Sequence, residues 1–135
     1  MKKLSPERVK GLLEVVLAAL GALLGGNDAL VSALLGLMAL DYVSGVMGAF
    51  VSKKLSSDAG FKGIFKKALL LMTVGAAALI DRKVLGAGGA LRGAVIGFYI
   101  SNEALSLLEN AAALGLPVPK KLKDALKQLR SNGEN

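Results

Sequence analysis

Three carboxylates stand where a carboxylate is costly. Glu14, Asp41 and Glu103 each interrupt a long apolar run, and an ionisable group inside a membrane helix must find a partner, lose its charge or meet water. The chain has neither cysteine nor histidine, which removes thiol nucleophiles, Ser-His triads and most metal-ligand sets. No residue is therefore assigned a catalytic, cofactor-binding or metal-binding role, and an enzyme is not expected. What remains for these carboxylates is the chemistry of polar groups in lipid, either as glue between helices or as the lining of an aqueous path.

Asp41 shares a helix face with Ser44, Gly45 and Gly48, a polar and small stripe that admits a second helix at close range. That stripe can face an oligomer contact or a lumen, or Asp41 can simply be neutral or paired with a neighbouring helix. Further along, Gly89, Gly93, Gly97 and Ser101 recur at every fourth position and predict a ridge for helix association. Tyr99, Asn102, Glu103, Ser106, Glu109 and Asn110 then fall on one side of the same helix, with Ile100, Ala104, Leu107, Leu108 and Ala111 opposite. Asp41, Asn102, Glu103, Ser106, Glu109 and Asn110 are thus the candidates for a polar lumen or interface. The alternative is that Glu109 and Asn110 already lie among headgroups and only Glu103 is buried.

Helices must carry these groups. Of 135 residues, 53% are hydrophobic and only 4% aromatic, a Leu, Ala, Val and Gly composition that suits helices packed in lipid. Four apolar stretches stand out: 11–25, 29–51, 64–80 and 91–108. The second is long enough to cross a ~30 Å hydrocarbon core. The third reaches that length if Lys66 and Lys67 snorkel to the lipid surface. The first is short and contains Glu14, so an amphipathic helix lying in the interface competes with a crossing. Ser5, Pro6 and Glu7 look like its N-cap and first turn, which argues against a cleaved signal peptide.

The expected fold is all-α, an integral membrane protein with a transmembrane domain over 1–116 and a basic cytoplasmic tail over 117–135. Net charge is +7, and fourteen of the seventeen basic residues fall in the N-terminal segment, the connection between the second and third stretches, and the tail. Since cytoplasmic loops retain Lys and Arg, four transmembrane helices with both termini in the cytoplasm satisfy every loop. The clustering between apolar segments also speaks against nucleic acid as a partner. Pro117 and Pro119 should end the fourth helix. Lys120 to Arg130 then forms a short basic amphipathic helix, either attached to anionic lipid or merely solvated, with a disordered end from Ser131 to Asn135.

The run from Ile100 through Asn102, Glu103, Ser106, Glu109 and Asn110, followed by Gly115 and Pro117-Val118-Pro119, resembles the toxin-secretion and phage-lysis holin family. Asp41 and Gly45 ahead of Lys53-Lys54-Leu55-Ser56-Ser57, then Lys62-Gly63 and Lys66-Lys67, extend the resemblance from about Leu30 to Leu129. It implies a multi-pass protein of the bacterial cytoplasmic membrane that needs no cofactor. Its partners would be the lipid bilayer and further copies of itself, and its task the escape of an endolysin or a toxin without necessary direct contact. Other classes are a small ion channel or transporter, an accessory or antagonist membrane subunit, and a soluble four-helix bundle.

Overall fold

A computed structural model describes residues 3–86 and 88–134. Among them are five α-helices: α1 (Pro6–Leu23), α2 (Ala29–Val51), α3 (Ser57–Ile80), α4 (Ala90–Ala113) and α5 (Lys120–Glu134). A π-helical turn, Asp81–Leu85, continues α3. The described residues contain no strand. The all-α expectation holds.

Three helices begin where a side chain satisfies an orphaned backbone amide. Ser5 accepts from the Arg8 amide at 3.3 Å, Asp28 from Val31 at 3.0 Å and Ser56 from Ala59 at 3.1 Å. The Ser56 cap starts α3 at Ser57 instead of Ile64, so Lys62, Lys66 and Lys67 belong to the helix. At the far end, α4 runs past Leu108 to Ala113. Its stop is Gly115, whose φ of 94° lets the Gly115 and Leu116 amides reach Ala112 O and Ala111 O at 3.0 Å. That closing motif ends the helix before either proline acts. The final helix reaches Glu134, beyond Arg130, so Ser131 to Glu134 are helical instead of disordered. Asn135 lies outside the described residues.

Two elements are long and apolar enough to cross a membrane, Ala29–Val51 and Ser57–Leu85. Helix α4 is central: it packs against α2, α3 and α5. Its first half closes a core of Leu24, Val31, Leu34, Met38, Leu70, Val74 and Ile96, with Leu34, Val74 and Ile96 wholly buried. Large apolar side chains on α2 and α3 point outward, Phe50 and Phe65 among them, as lipid-facing surfaces do. Helix α5 is no detached tail. It turns back onto α4 and half-buries Lys123 and Leu126, while Leu122 stays exposed.

Arg92 ties one end of the bundle together. Its guanidinium donates to Leu24 O, to Gly26 O at 3.0 Å and to the Asp28 carboxylate at 2.7 Å. Asp81 accepts from the Leu91 and Arg92 amides at 3.2 and 2.6 Å, which caps α4 where Gly89 has no side chain to do so. The turn can approach Arg92 this closely because residue 25 is glycine. Its φ is 88°, and a Cβ there would lie 2.7 Å from Arg92 Nε. The hydrogen bond from Arg92 to Asp28 holds that carboxyl below its ordinary value of 3.8.

Removing the guanidinium should leave buried carbonyls unsatisfied. Arg92→Ala is expected to cost about 2–4 kcal/mol, less than a fully buried pair because Asp28 is half exposed. Thermal unfolding in detergent measures this. A depressed carboxyl contributes stability that is complete above its unfolded value and lost as pH falls through its native one. The wild type should therefore lose stability below about pH 4 by an increment that Arg92→Ala lacks.

Candidate functional site: a buried ion cluster among three helices

Lys67 is the residue that sequence reasoning missed. Instead of snorkelling, its ammonium turns inward and lies 2.8 Å from Asp41 Oδ2 and 2.7 Å from Glu103 Oε2. Lys66, one residue earlier, stays exposed. The side chains of Lys67, Asp41 and Glu103 are only 18, 13 and 7% exposed, so α2, α3 and α4 each bring one charge to a single largely buried point. The signal lay in the helical period: Lys67 shares a face with Leu70 and Val74, which are core, whereas Lys66 does not.

Asn110 completes the cluster. Its amide donates to Asp41 Oδ1 at 3.0 Å, to Asp41 O at 3.2 Å and to Ser44 Oγ at 2.9 Å. Ser44 in turn donates to Asp41 O at 3.0 Å. Among the described residues no buried side-chain nitrogen or oxygen lacks a partner, which is the condition for tolerating charge in a low dielectric.

Beside this cluster a cavity of about 310 Å³ opens between α2 and α3, with Asp41, Lys67, Ser106 and Asn110 in its walls. The two helices are spaced by Tyr42, whose ring lies over Gly60 and Gly63. A Cβ on either glycine would sit 3.4 Å from that ring or its hydroxyl.

The other candidates separate into two groups. Asp41, Ser106 and Asn110 line the cavity, Glu103 joins them through Lys67, and Gly45 lies alongside, where a Cβ would stand 3.7 Å from the Asn110 amide. Asn102 is half-buried and Glu109 exposed, so the polar side of α4 is divided instead of continuous. Gly93 and Gly97 are on α4 with nothing within 4 Å of where a Cβ would be, and Gly48 on α2 is equally open. Gly89 is not part of a helical ridge. It precedes α4 in the left-handed region, with φ of 87°, because the turn from α3 must reverse there. Ser101 is buried and donates to Gly97 O at 2.8 Å, so its hydroxyl is spent within its own helix.

Toward the Arg92 end, the space beyond the ion cluster is filled by Leu34, Val74 and Ile96. Each of α2, α3 and α4 thus carries one polar node near its middle and another near the Arg92 end, with an apolar layer between. A profile of the bacteriophage holin family matches residues 18–131. The chain belongs to that family. Holins are membrane pore formers, not enzymes, and the match takes in both polar nodes and the layer between them but only the end of α1.

Similar proteins occur in several bacteria. An uncharacterised 14.9 kDa protein of Clostridium perfringens is 44% identical over 107 residues, covering 79% of this chain and 81% of its own. An uncharacterised protein of Listeria innocua is 42% identical over 109 residues, 81% and 77% of the two chains. One from Bacillus subtilis is 32% identical over 119 residues, 88% of each. No solved structure matches.

Within this holin-family bundle, Lys67→Ala should be the most damaging single change on α3. Leaving two buried carboxylates without their cation is expected to cost about 3–5 kcal/mol, against roughly 0.5 kcal/mol or less for Leu69→Ala on the exposed face. The triple change Asp41→Asn, Lys67→Met, Glu103→Gln should recover most of the loss. Thermal unfolding in detergent of the three variants decides the matter, and a harmless Lys67→Ala would show that the cluster does not hold the helices.

Proposed function

We propose that this protein acts as a holin: copies gather in the bacterial cytoplasmic membrane and then assemble into a hole that lets an endolysin, or a toxin, leave the cell. The observation that carries this reading is the apolar layer of Leu34, Val74 and Ile96 between the two polar nodes. A protomer sealed along its own axis offers no water path, so a hole must open between copies. This also explains how such a protein can accumulate without harm. Its polar groups are hidden inside each protomer instead of between subunits.

In the proposed arrangement α1 to α4 all cross the bilayer, with both termini in the cytoplasm. The basic residues before α1, around the α2–α3 connection and on α5 then share the cytoplasmic side. The Arg92 node lies at the opposite face. The open positions at Gly93 and Gly97 supply a surface on which helices of different copies can approach closely. Domain-wise, residues 1–116 would be the membrane part and α5 a basic element at the cytoplasmic face, with its lysines near anionic headgroups.

A second reading is a small selective ion path within the protomer. The cavity reaching Asp41 and Lys67 favours it, and the apolar layer opposes it. Inducible expression in a bacterium, with and without a cytoplasmic endolysin that lacks a signal peptide, separates the two. The holin reading expects abrupt depolarisation, and lysis only when the endolysin is present. Depolarisation without lysis would support the selective path.

Because nothing in the protomer fills the space over Gly93 and Gly97, Gly93→Leu and Gly97→Leu should leave thermal stability nearly unchanged. They should nevertheless shift the time of lysis more than a Leu→Ile change on a lipid face does. Equal lysis curves would remove the ridge from the assembly.

A further inference from the structure

Helix α1 is unfinished in the single protomer. Every residue from Pro6 to Leu20 is exposed, and Gly21 alone on the helix is buried. It meets the bundle through its last turn, where Leu23 O lies 3.1 Å from the position a Cβ on Gly75 would take. Glu14 sits midway along it. Among the described residues Glu14 has no ion-pair partner, although its surroundings are Leu12, Leu13, Val15, Val16 and Leu17.

Depth identifies the missing partner. Both α1 and α3 end at the Arg92 node, so in the four-crossing arrangement they run in the same direction through the bilayer. Leu23 is level with Gly75. Nine residues back from each stand Glu14 and Lys66, both ~13 Å from that contact at the helical rise. Lys66 is exposed and likewise has no ion-pair partner among the described residues. The two do not meet within one protomer, since α1 touches the bundle only through its last turn.

We infer that α1 docks on the outer face of α3 of a second copy, with Glu14 of one chain paired to Lys66 of the next. This inference rests on the holin reading and names the contact that would build its assembly. In a ring whose axis follows the bilayer normal, every residue keeps its depth from copy to copy. Opposite charges equally far along their helices from the Arg92 end therefore reach one depth, and pair between neighbours, once α1 lies along the next copy's α3. Gly11 has open space around it, and with Ala18 it flanks Glu14 on the same face. That stripe receives the exposed Phe65 and Leu69 that flank Lys66. A contact in which α1 gives and α3 receives is heterologous, so it propagates into a ring or an open arc instead of stopping at two copies.

The chain has no cysteine, which makes disulfide trapping clean. Leu17 and Leu69 lie one turn beyond Glu14 and Lys66 on the same faces, and changing them leaves the charges in place. Leu17→Cys chains with one tag, co-expressed with Leu69→Cys chains carrying another, should give a mixed disulfide pair in oxidised membranes. A chain bearing both changes should give a ladder beyond the dimer. Glu14→Lys in the first chain should lower the mixed product roughly tenfold, and Lys66→Glu in the second should restore it. If Leu17→Cys chains pair with each other as readily, α1 meets α1 and the proposal is overturned. Oligomers seen with a general amine cross-linker but no mixed disulfide would overturn this contact while leaving the holin reading intact. Monomers by both methods would overturn both.

Discussion

The ammonium of Lys67 between the carboxylates of Asp41 and Glu103 constrains everything around it, because none of the three charges can be moved into lipid alone. The interaction links α2, α3 and α4 at one depth, and Asn110 fixes the Asp41 carboxylate from a further turn of α4. It also dictates which way α4 faces. A helix carrying Glu103, Ser106 and Asn110 on one side has to turn that side toward Lys67. The cavity between α2 and α3 exists because Tyr42, seated on Gly60 and Gly63, spaces the two helices beside the charges.

At the other end Arg92 performs a comparable task with different chemistry. It binds two backbone carbonyls of the tight α1–α2 turn together with the Asp28 carboxylate, and Asp81 supplies the cap that the glycine-rich α3–α4 turn lacks. Between these nodes the buried core is apolar, with Leu34, Met38, Leu70, Val74 and Ile96 at its centre and Tyr99 packed against it. Such a layer is apolar and fully buried at Leu34, Val74 and Ile96, whereas the nodes are directional and charged. A rearrangement that exposes polar groups to a lumen has to break or exchange the ion cluster. The apolar layer can slide or repack at a lower cost.

This division fits the proposed holin role, in which copies stay inert in the membrane before they open it. The protomer keeps its charges satisfied internally and offers lipid an apolar exterior on α2 and α3. It keeps in reserve those features that its own fold does not use: the open glycine positions of α4, the exposed length of α1, and the half-covered apolar edge of α5. Each is unneeded for the bundle and suited to contact with something outside it.

Residue order alone determined a good deal. The apolar runs set the helices, since backbone groups in such segments can be satisfied only within the helix. Ser5 announced the start of α1 through capping chemistry, and the polar offsets from Asn102 to Asn110 pointed to the family, whereas the caps at Asp28 and Ser56 emerged only with the structure. Tertiary structure decided which polar groups meet. Lys66 and Lys67 are adjacent and chemically identical, yet one faces outward and one holds two carboxylates, a difference set by helix rotation against α2 and α4. Nothing in the sequence marks Arg92 as a node, because its side-chain partners lie more than sixty residues away in the chain. Gly89 fitted a four-residue repeat that the reversal of direction before α4 does not allow. A periodic pattern specifies a face of a helix, but what that face meets depends on distant segments that only packing brings together.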